Sequence, residues 1–274
     1  MLGITDSVSV LMSVYQHEKA AHLEHALHSI WTNQTLKPDE IILVEDGPLT
    51  CELYRVIDSW KRKLPEQFKP VKIKKNVGLA SALNDGLQHC SHELVARMDT
   101  DDESLPRRIE EQVAYMTANP DIVACSAQLD EYDIGLTRQI GQRLLPLYPE
   151  ELNQFCKTRS PLSHPVVMFR KSIVESIGGY PLFNNSQDWA LWSLLIVNGH
   201  KIANIDSKLL KMRTDTSLLE RRGAKYLSNE IKLYRYQNRI KLITRKKMLA
   251  NIAQKSVLRL SPNFVKRYLY KKYR

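Results

Sequence analysis

Three carboxylates, Asp99, Asp101 and Asp102, stand directly after an apolar run, Leu94-Val95-Ala96. Carboxylates this close repel one another, so a folded site that holds them needs a positive partner. A hard divalent cation with oxygen ligands is the simplest. Mg2+ or Mn2+ held by one or two carboxylates, with phosphates filling the remaining positions, suits such a strand end. The plainer reading is a polar loop whose acids cap the next helix, with Ser104 as its N-cap and Pro106 in its first turn. Other polar groups also sit where apolar runs end. Tyr15 closes the run from Val8 to Val14, Asp46 closes Glu40-Ile-Ile-Leu-Val-Glu45, and Asn76-Val77-Gly78 precedes a helical stretch.

The elements that would position these groups follow from periodicity. Strands are expected over 8–15, 40–45, 71–74, 93–98 and 122–127, alternating with helices over 20–34, 50–63, 79–89 and 105–118. In the first helix Leu23, Leu27, Ile30 and Trp31 form one apolar stripe. Such alternation implies crossover units and a largely parallel sheet, whose ligands bind beyond the carboxyl ends of the strands. Tyr15, Asp46 and the three aspartates would gather there. From 130 to 161 the pattern weakens and carries no assignment. A strand over 166–169, a short helix over 172–177 and a helix over 188–198 follow, the last with Asp188 at its N-cap and Gly199 past its end. A strand over 201–205 and two basic amphipathic helices over 226–245 and 248–260 complete the chain.

A chain of 274 residues, 43% hydrophobic and 26% charged, can bury a proper core as an ordinary soluble protein. No signal peptide and no membrane-spanning run are expected. The four cysteines (Cys51, Cys90, Cys125, Cys156) are too far apart for a zinc spacing or a disulfide framework, which fits reduced thiols in a cytosolic protein. The net charge of +10 is uneven. Residues 225–274 hold 15 of the 40 Lys/Arg and one acid, Glu230, so this tail is near +14 and the body near −4. Body and tail should therefore have different partners.

Five motifs in order carry a resemblance: Val8-Ser-Val-Leu-Met-Ser-Val-Tyr15, Glu40-Ile-Ile-Leu-Val-Glu-Asp46-Gly47, Asn76-Val-Gly-Leu-Ala-Ser-Ala-Leu-Asn84, Ala96-Arg-Met-Asp-Thr-Asp-Asp102 and Ser186-Gln-Asp-Trp189. Together they resemble family 2 glycosyltransferases of the GT-A type, more narrowly the bacterial enzymes that build O-antigen or exopolysaccharide repeat units. The resemblance implies an α/β, Rossmann-like GT-A domain over 1–224 with a mainly parallel sheet and flanking helices, plus a basic helical extension over 225–274. It implies a UDP-sugar donor carrying galactose, glucose or an N-acetyl form, Mn2+ or Mg2+, inversion at the anomeric carbon, and a polyprenyl-diphosphate-linked saccharide as acceptor.

Residue by residue, the resemblance puts Ser13, Tyr15 and Asp46 at the nucleobase side, Asp46 accepting from a ring N–H as suits uracil. Asn76 and Gly78 line the nucleotide pocket, and Arg97 meets a phosphate or the aspartates. Asp99, Thr100 and Asp101 face the donor, and Asp99 with Asp101 or Asp102 holds the metal. Inversion needs a base for the acceptor hydroxyl, and Asp188 is the candidate. Arg221 and Arg222 would hold diphosphate from a loop over the donor. His164 and Trp189 are acceptor-side candidates, each with packing as the plainer role. The tail suits an interfacial helix on the anionic inner face of the bacterial inner membrane, with Tyr268, Tyr270 and Tyr273 at headgroup level. A solvated extension packed on the body or on a second subunit of a homodimer is the alternative. No nucleic-acid motif accompanies the charge. The rival for the whole chain is a non-catalytic nucleotide-sugar or polyanion-binding protein with the same fold.

Overall fold

The computed structural model describes residues 7–214 and 224–260. The elements run β1 (Val8–Val14), α1 (Ala20–Leu27, drawn on by a π turn to Thr32), β2 (Glu40–Asp46), α2 (Cys51–Lys63), β3 (Phe68–Ile73), α3 (Leu79–His89), β4 (Leu94–Arg97) and β5 (Glu103–Ser104). They continue α4 (Arg108–Ala118), β6 (Ile122–Tyr132), β7 (Gln139–Arg143), α5 (Pro149–Phe155), β8 (Met168–Arg170), α6 (Lys171–Ser176), α7 (Gln187–Val197) and β9 (Lys201–Arg213). Two last helices are α8 (Ala224–Arg239) and α9 (Arg245–Leu260).

Among the described residues the strands form one sheet in the order β3-β2-β1-β4-β8-β6-β9-β5, with β7 on β6. The half built from β1 to β4 is parallel, as the alternation implies. Beyond it the sheet is mixed: β8 runs antiparallel to both β4 and β6, and β6 runs parallel to β9. Successive residues of a strand face opposite sides, and the apolar strands use both. Val10, Met12, Ile41 and Leu43 pack under α1, α2 and α4. Leu11, Ile42 and Val44 pack under α3, with Leu191, Trp192 and Leu195 of α7 in the same cluster. Two layers of helices thus hold the carboxyl ends of β1, β2 and β4 in one row.

Three expectations need correction, each for a physical reason. Ser104 does not cap α4. It lies in β5 opposite Leu210, and the first-turn amide of Ile109 donates instead to Gln34 Oε1 at 3.1 Å. Asp188 is not an N-cap either: Ser186, in the left-handed region at φ 64, holds that place and Asp188 is the second helical residue. The last strand runs to Arg213 rather than stopping at Ile205. The turn-like Asp206-Ser207 is absorbed where the pairing jumps from Ala127↔Ile205 to Gln128↔Lys208. The stretch without an assignment contains the end of β6, the edge strand β7 and α5.

Helices α8 and α9 pack on the body. Leu233, Tyr234 and Ile243 share a core with Trp189, Ala190 and Cys156. The carbonyls after α5, left without helical partners, accept from donors of α7, α8 and α9. Cys156 O accepts from Trp189 Nε1 (2.7 Å) and Gln237 Nε2 (3.1 Å), Lys157 O from Asn251 Nδ2 (2.7 Å) and Thr158 O from Tyr234 Oη (3.3 Å). Gln237 also donates to Ser193 Oγ at 3.0 Å and is fully buried. Gln237→Leu is expected to lower unfolding free energy by about 1–3 kcal/mol, read by urea denaturation. An unchanged midpoint would mean that the hydrogen bonds of Gln237 add nothing net to the fold, its buried Oε1 having no partner to lose.

Candidate active site

At the end of β1, Ser13 is half-buried and Tyr15 is 46% exposed, its ring edge-on to His17. Asp46 at the end of β2 is buried and braces the loop ahead of α3. Its Oδ1 accepts from Val77 N (2.7 Å) and its Oδ2 from Asn76 Nδ2 (3.0 Å) and Gly78 N (3.1 Å). A carboxylate has about four acceptor sites, so one remains for a ligand N–H. The turn after β2 must be glycine here. Gly47 has φ +88, and a Cβ on it would lie 2.6 Å from the Asn76 backbone nitrogen. These contacts join Asp46, Asn76 and Gly78 into one rigid wall.

The loop after β4 brings the acids together. Among the described residues, Asp99, Asp101 and Asp102 place their ligand oxygens within 4.8 Å of one another. Asp102 is buried and its Oδ1 accepts from Arg213 N at 2.8 Å, while the Arg213 guanidinium donates to the Asp101 carbonyl. Burial, then Asp99 and Glu18, push the Asp101 carboxyl up to about 7, and burial with Asp99 and Asp101 lifts Asp102 well above its ordinary value. Protons and a divalent cation compete for such a cluster. An all-oxygen, hard donor set of this kind fits Mn2+ or Mg2+.

Beneath the cluster lie two buried guanidiniums. Arg97 (2% exposed) donates to Asp99, while its Nε and Nη1 are buried without a partner. Arg108 donates to the Arg97 carbonyl at 2.6 Å, and burial with the nearby Arg97 charge pulls its pKa down to about 9. Asp188 lies on the first turn of α7, where the Arg97 charge reaches it. Ser160 Oγ donates to it at 3.4 Å. Burial raises its pKa, partly opposed by the helix-start amides, by Arg97 and by Arg143. A buried carboxylate with raised proton affinity can take a proton from a hydroxyl.

The acceptor-side candidates are both packed into the body. His164 is buried, bonded to Tyr180 Oη at 3.1 Å and edge-on to Trp192. Burial and then Arg97 hold its pKa well below the usual value, so the ring is neutral and structural. Trp189 is 6% exposed and edge-on to Tyr234, so it joins α7 to α8 and offers no face to a sugar. Arg221 and Arg222 lie outside the described residues. Sequence reasoning missed Glu18, whose Oε2 accepts from Thr100 Oγ1 at 3.0 Å, and Arg213. An acid three residues past Tyr15 at a ligand-binding strand end was the available signal for the first.

Fold and site together define a nucleotide-sugar-type α/β transferase, and comparison with known proteins gives the family. Residues 9–178 match the family model described as glycosyl transferase family 2, and the chain belongs to that family. It is 38% identical to "Amylovoran biosynthesis glycosyltransferase AmsE" of Erwinia amylovora, over 96% of this chain and 98% of that one. It is 36% identical to the "UDP-Gal:alpha-D-GlcNAc-diphosphoundecaprenol beta-1,3-galactosyltransferase" of Escherichia coli, over 98% and 96% of the two chains. Among solved structures, S. aureus TarS 1-349 superposes with a TM-score of 0.66 at 16% identity, covering 92% of this chain and 72% of that one. The mannosyltransferase PcManGT of Pyrobaculum calidifontis, in complex with GDP-Man and Mn2+, gives 0.62 at 16%, covering 97% and 79%. These two neighbours share the fold. The protein is a family 2 glycosyltransferase of polysaccharide biosynthesis.

Proposed function

We propose that the protein transfers a hexose (galactose, glucose or an N-acetyl form) from a UDP-sugar to a polyprenyl-diphosphate-linked saccharide, inverting the anomeric carbon. The observation that carries this reading is the Asp99/Asp101/Asp102 cluster at the end of β4, with the Arg97 charge acting on both Asp99 and Asp188. The name of the Escherichia coli relative supports the donor and acceptor class.

Ser13 and Tyr15 receive the base, the free acceptor site of Asp46 takes the uracil N–H, and Asn76 and Gly78 border the nucleotide. Asp99 with Asp101 or Asp102 would hold Mn2+ or Mg2+, and Thr100 faces the donor between them. A bound divalent cation neutralises the departing diphosphate. Arg221 and Arg222 are assigned to the same diphosphate. Asp188 accepts the proton of the acceptor hydroxyl as its oxygen bonds to the anomeric carbon from the face opposite the diphosphate. The carbon–oxygen bond to UDP breaks as that bond forms.

A panel of UDP- and GDP-sugars with Mn2+ and a synthetic lipid-diphosphate sugar tests the reading. Turnover with one UDP-sugar supports it. Nucleotide binding without turnover across the panel favours a non-catalytic binding protein of the same fold.

No helix among the described residues is long and apolar enough to cross a membrane. Exposed along α9 are Arg245, Lys246, Lys247, Leu249, Ala250, Ala253, Gln254 and Val257, a mainly apolar strip with cations at one end. We assign the basic extension, 225–274, to docking the body, 1–224, on the anionic cytoplasmic face of the membrane. Tyr268, Tyr270 and Tyr273 lie outside the described residues. The protein is expected to sediment with vesicles rich in phosphatidylglycerol and to leave them in high salt. The double variant Lys246→Glu, Lys247→Glu should lose about thirtyfold or more in binding, since each basic residue contributes about 1 kcal/mol. Equal sedimentation with neutral vesicles would sink the assignment.

A further inference from the structure

The turn between β1 and α1 carries an acid that the reaction does not consume. Glu18 is nearly buried, with 10% of its side chain exposed, and both carboxylate oxygens are engaged. Oε1 accepts from the Lys19 amide at 2.7 Å and lies 3.4 Å from His22 Nδ1. Oε2 accepts from Thr100 Oγ1 at 3.0 Å. The Glu18 amide in turn donates to the Tyr15 carbonyl at 3.0 Å. One short turn therefore touches Tyr15 at one end and the middle residue of the Asp99-Thr100-Asp101 run at the other.

We propose that Glu18 is a positioning residue for the cation-binding loop, acting through the Thr100 hydroxyl. This rests on the cation reading given above. Thr100 is 4% exposed and sits between two carboxylates that repel each other. Two neighbouring acids of one sign tend to splay unless the backbone between them is fixed. Arg213 fixes the far side, through its amide on Asp102 and its guanidinium on the Asp101 carbonyl. Glu18 fixes the near side. The loop is clamped from β9 and from the β1–α1 turn at once, so the oxygens that receive a cation are spaced before it arrives. Pre-organisation of this kind raises affinity without adding a ligand.

The test is Mn2+ titration of the full chain with UDP present, followed by the paramagnetic resonance of free Mn2+. UDP binding in EDTA is measured in parallel. Thr100→Val and Glu18→Ala are each expected to weaken Mn2+ binding by about tenfold or more, the lower end of the range for one hydrogen bond to a charged group. The double variant should be no weaker than Glu18→Ala alone, because removing Glu18 already removes the contact together with its charge. Thr100→Ser, which keeps the hydroxyl, should recover most of the affinity, and UDP binding in EDTA should not move in Glu18→Ala.

Parental Mn2+ affinity in Thr100→Val, additive losses in the double variant, or no recovery with Ser would each overturn the inference. If Glu18→Ala does not fold, Thr100→Val against Thr100→Ser decides alone. Failure of the unaltered protein to take up Mn2+ would instead overturn the cation reading beneath it.

Discussion

Asp188→Asn is expected to lower sugar transfer by about 10³-fold, the middle of the range for losing a general base, while UDP-sugar binding stays within about twofold. Asn is nearly isosteric and can still accept from Ser160 Oγ, so the first turn of α7 keeps its shape. What disappears is the site that takes the acceptor proton. The pH profile provides the second reading. Burial raises the Asp188 pKa above the ordinary carboxylate value. Only the ionised form accepts a proton, so activity rises as pH climbs through that raised value, and the acid limb should sit above the ordinary carboxylate range. The residual activity of Asp188→Asn should lack this limb. Transfer at the parental rate would remove Asp188 from the reaction and leave its carboxylate as a helix-start charge alone.

Much of this site was legible because strand ends are legible. A buried parallel strand is a short apolar run, and the polar residue that ends it faces the ligand side of the sheet. That logic finds Tyr15, Asp46 and Asp99 without coordinates. It does not find partners brought in by tertiary structure. Glu18 meets Thr100 from 82 residues away and Arg213 meets Asp102 from 111. Local capping rules failed for the same reason. Ser104 and Asp188 are the residue types that cap helices, yet a distant glutamine satisfies α4 and a strained serine begins α7. For Trp189 packing was the plainer role, but nothing in its own helix names the partner, which is Tyr234. The mixed half of the sheet escaped notice because β7 lies at an edge with little apolar pattern, and because β9 bulges past a turn-like dipeptide.

Replacing Arg97 by Met should separate stability from activity. Removing one member of a buried ion pair commonly costs about 3–5 kcal/mol, but two features reduce the cost here. Asp99 keeps 37% of its side chain exposed and can be rehydrated. Met also removes two buried nitrogens, Nε and Nη1, that have no partner, and it fills much of the same volume. The loss of unfolding free energy should therefore be about 2 kcal/mol or less. Activity should fall far more, on the order of 10²-fold, because one guanidinium acts on both sides of the reaction. It orients Asp99, and its charge opposes the burial that raises Asp188. Without it the Asp188 pKa rises further, so the acid limb of the rate profile moves to higher pH, the opposite of its loss in Asp188→Asn. Arg97→Lys keeps the charge but not the planar fork, so it should return the limb toward its parental position while recovering only part of the rate. A limb that stays in place in Arg97→Met would show that Asp188 does not feel Arg97, and would restrict the arginine to holding Asp99.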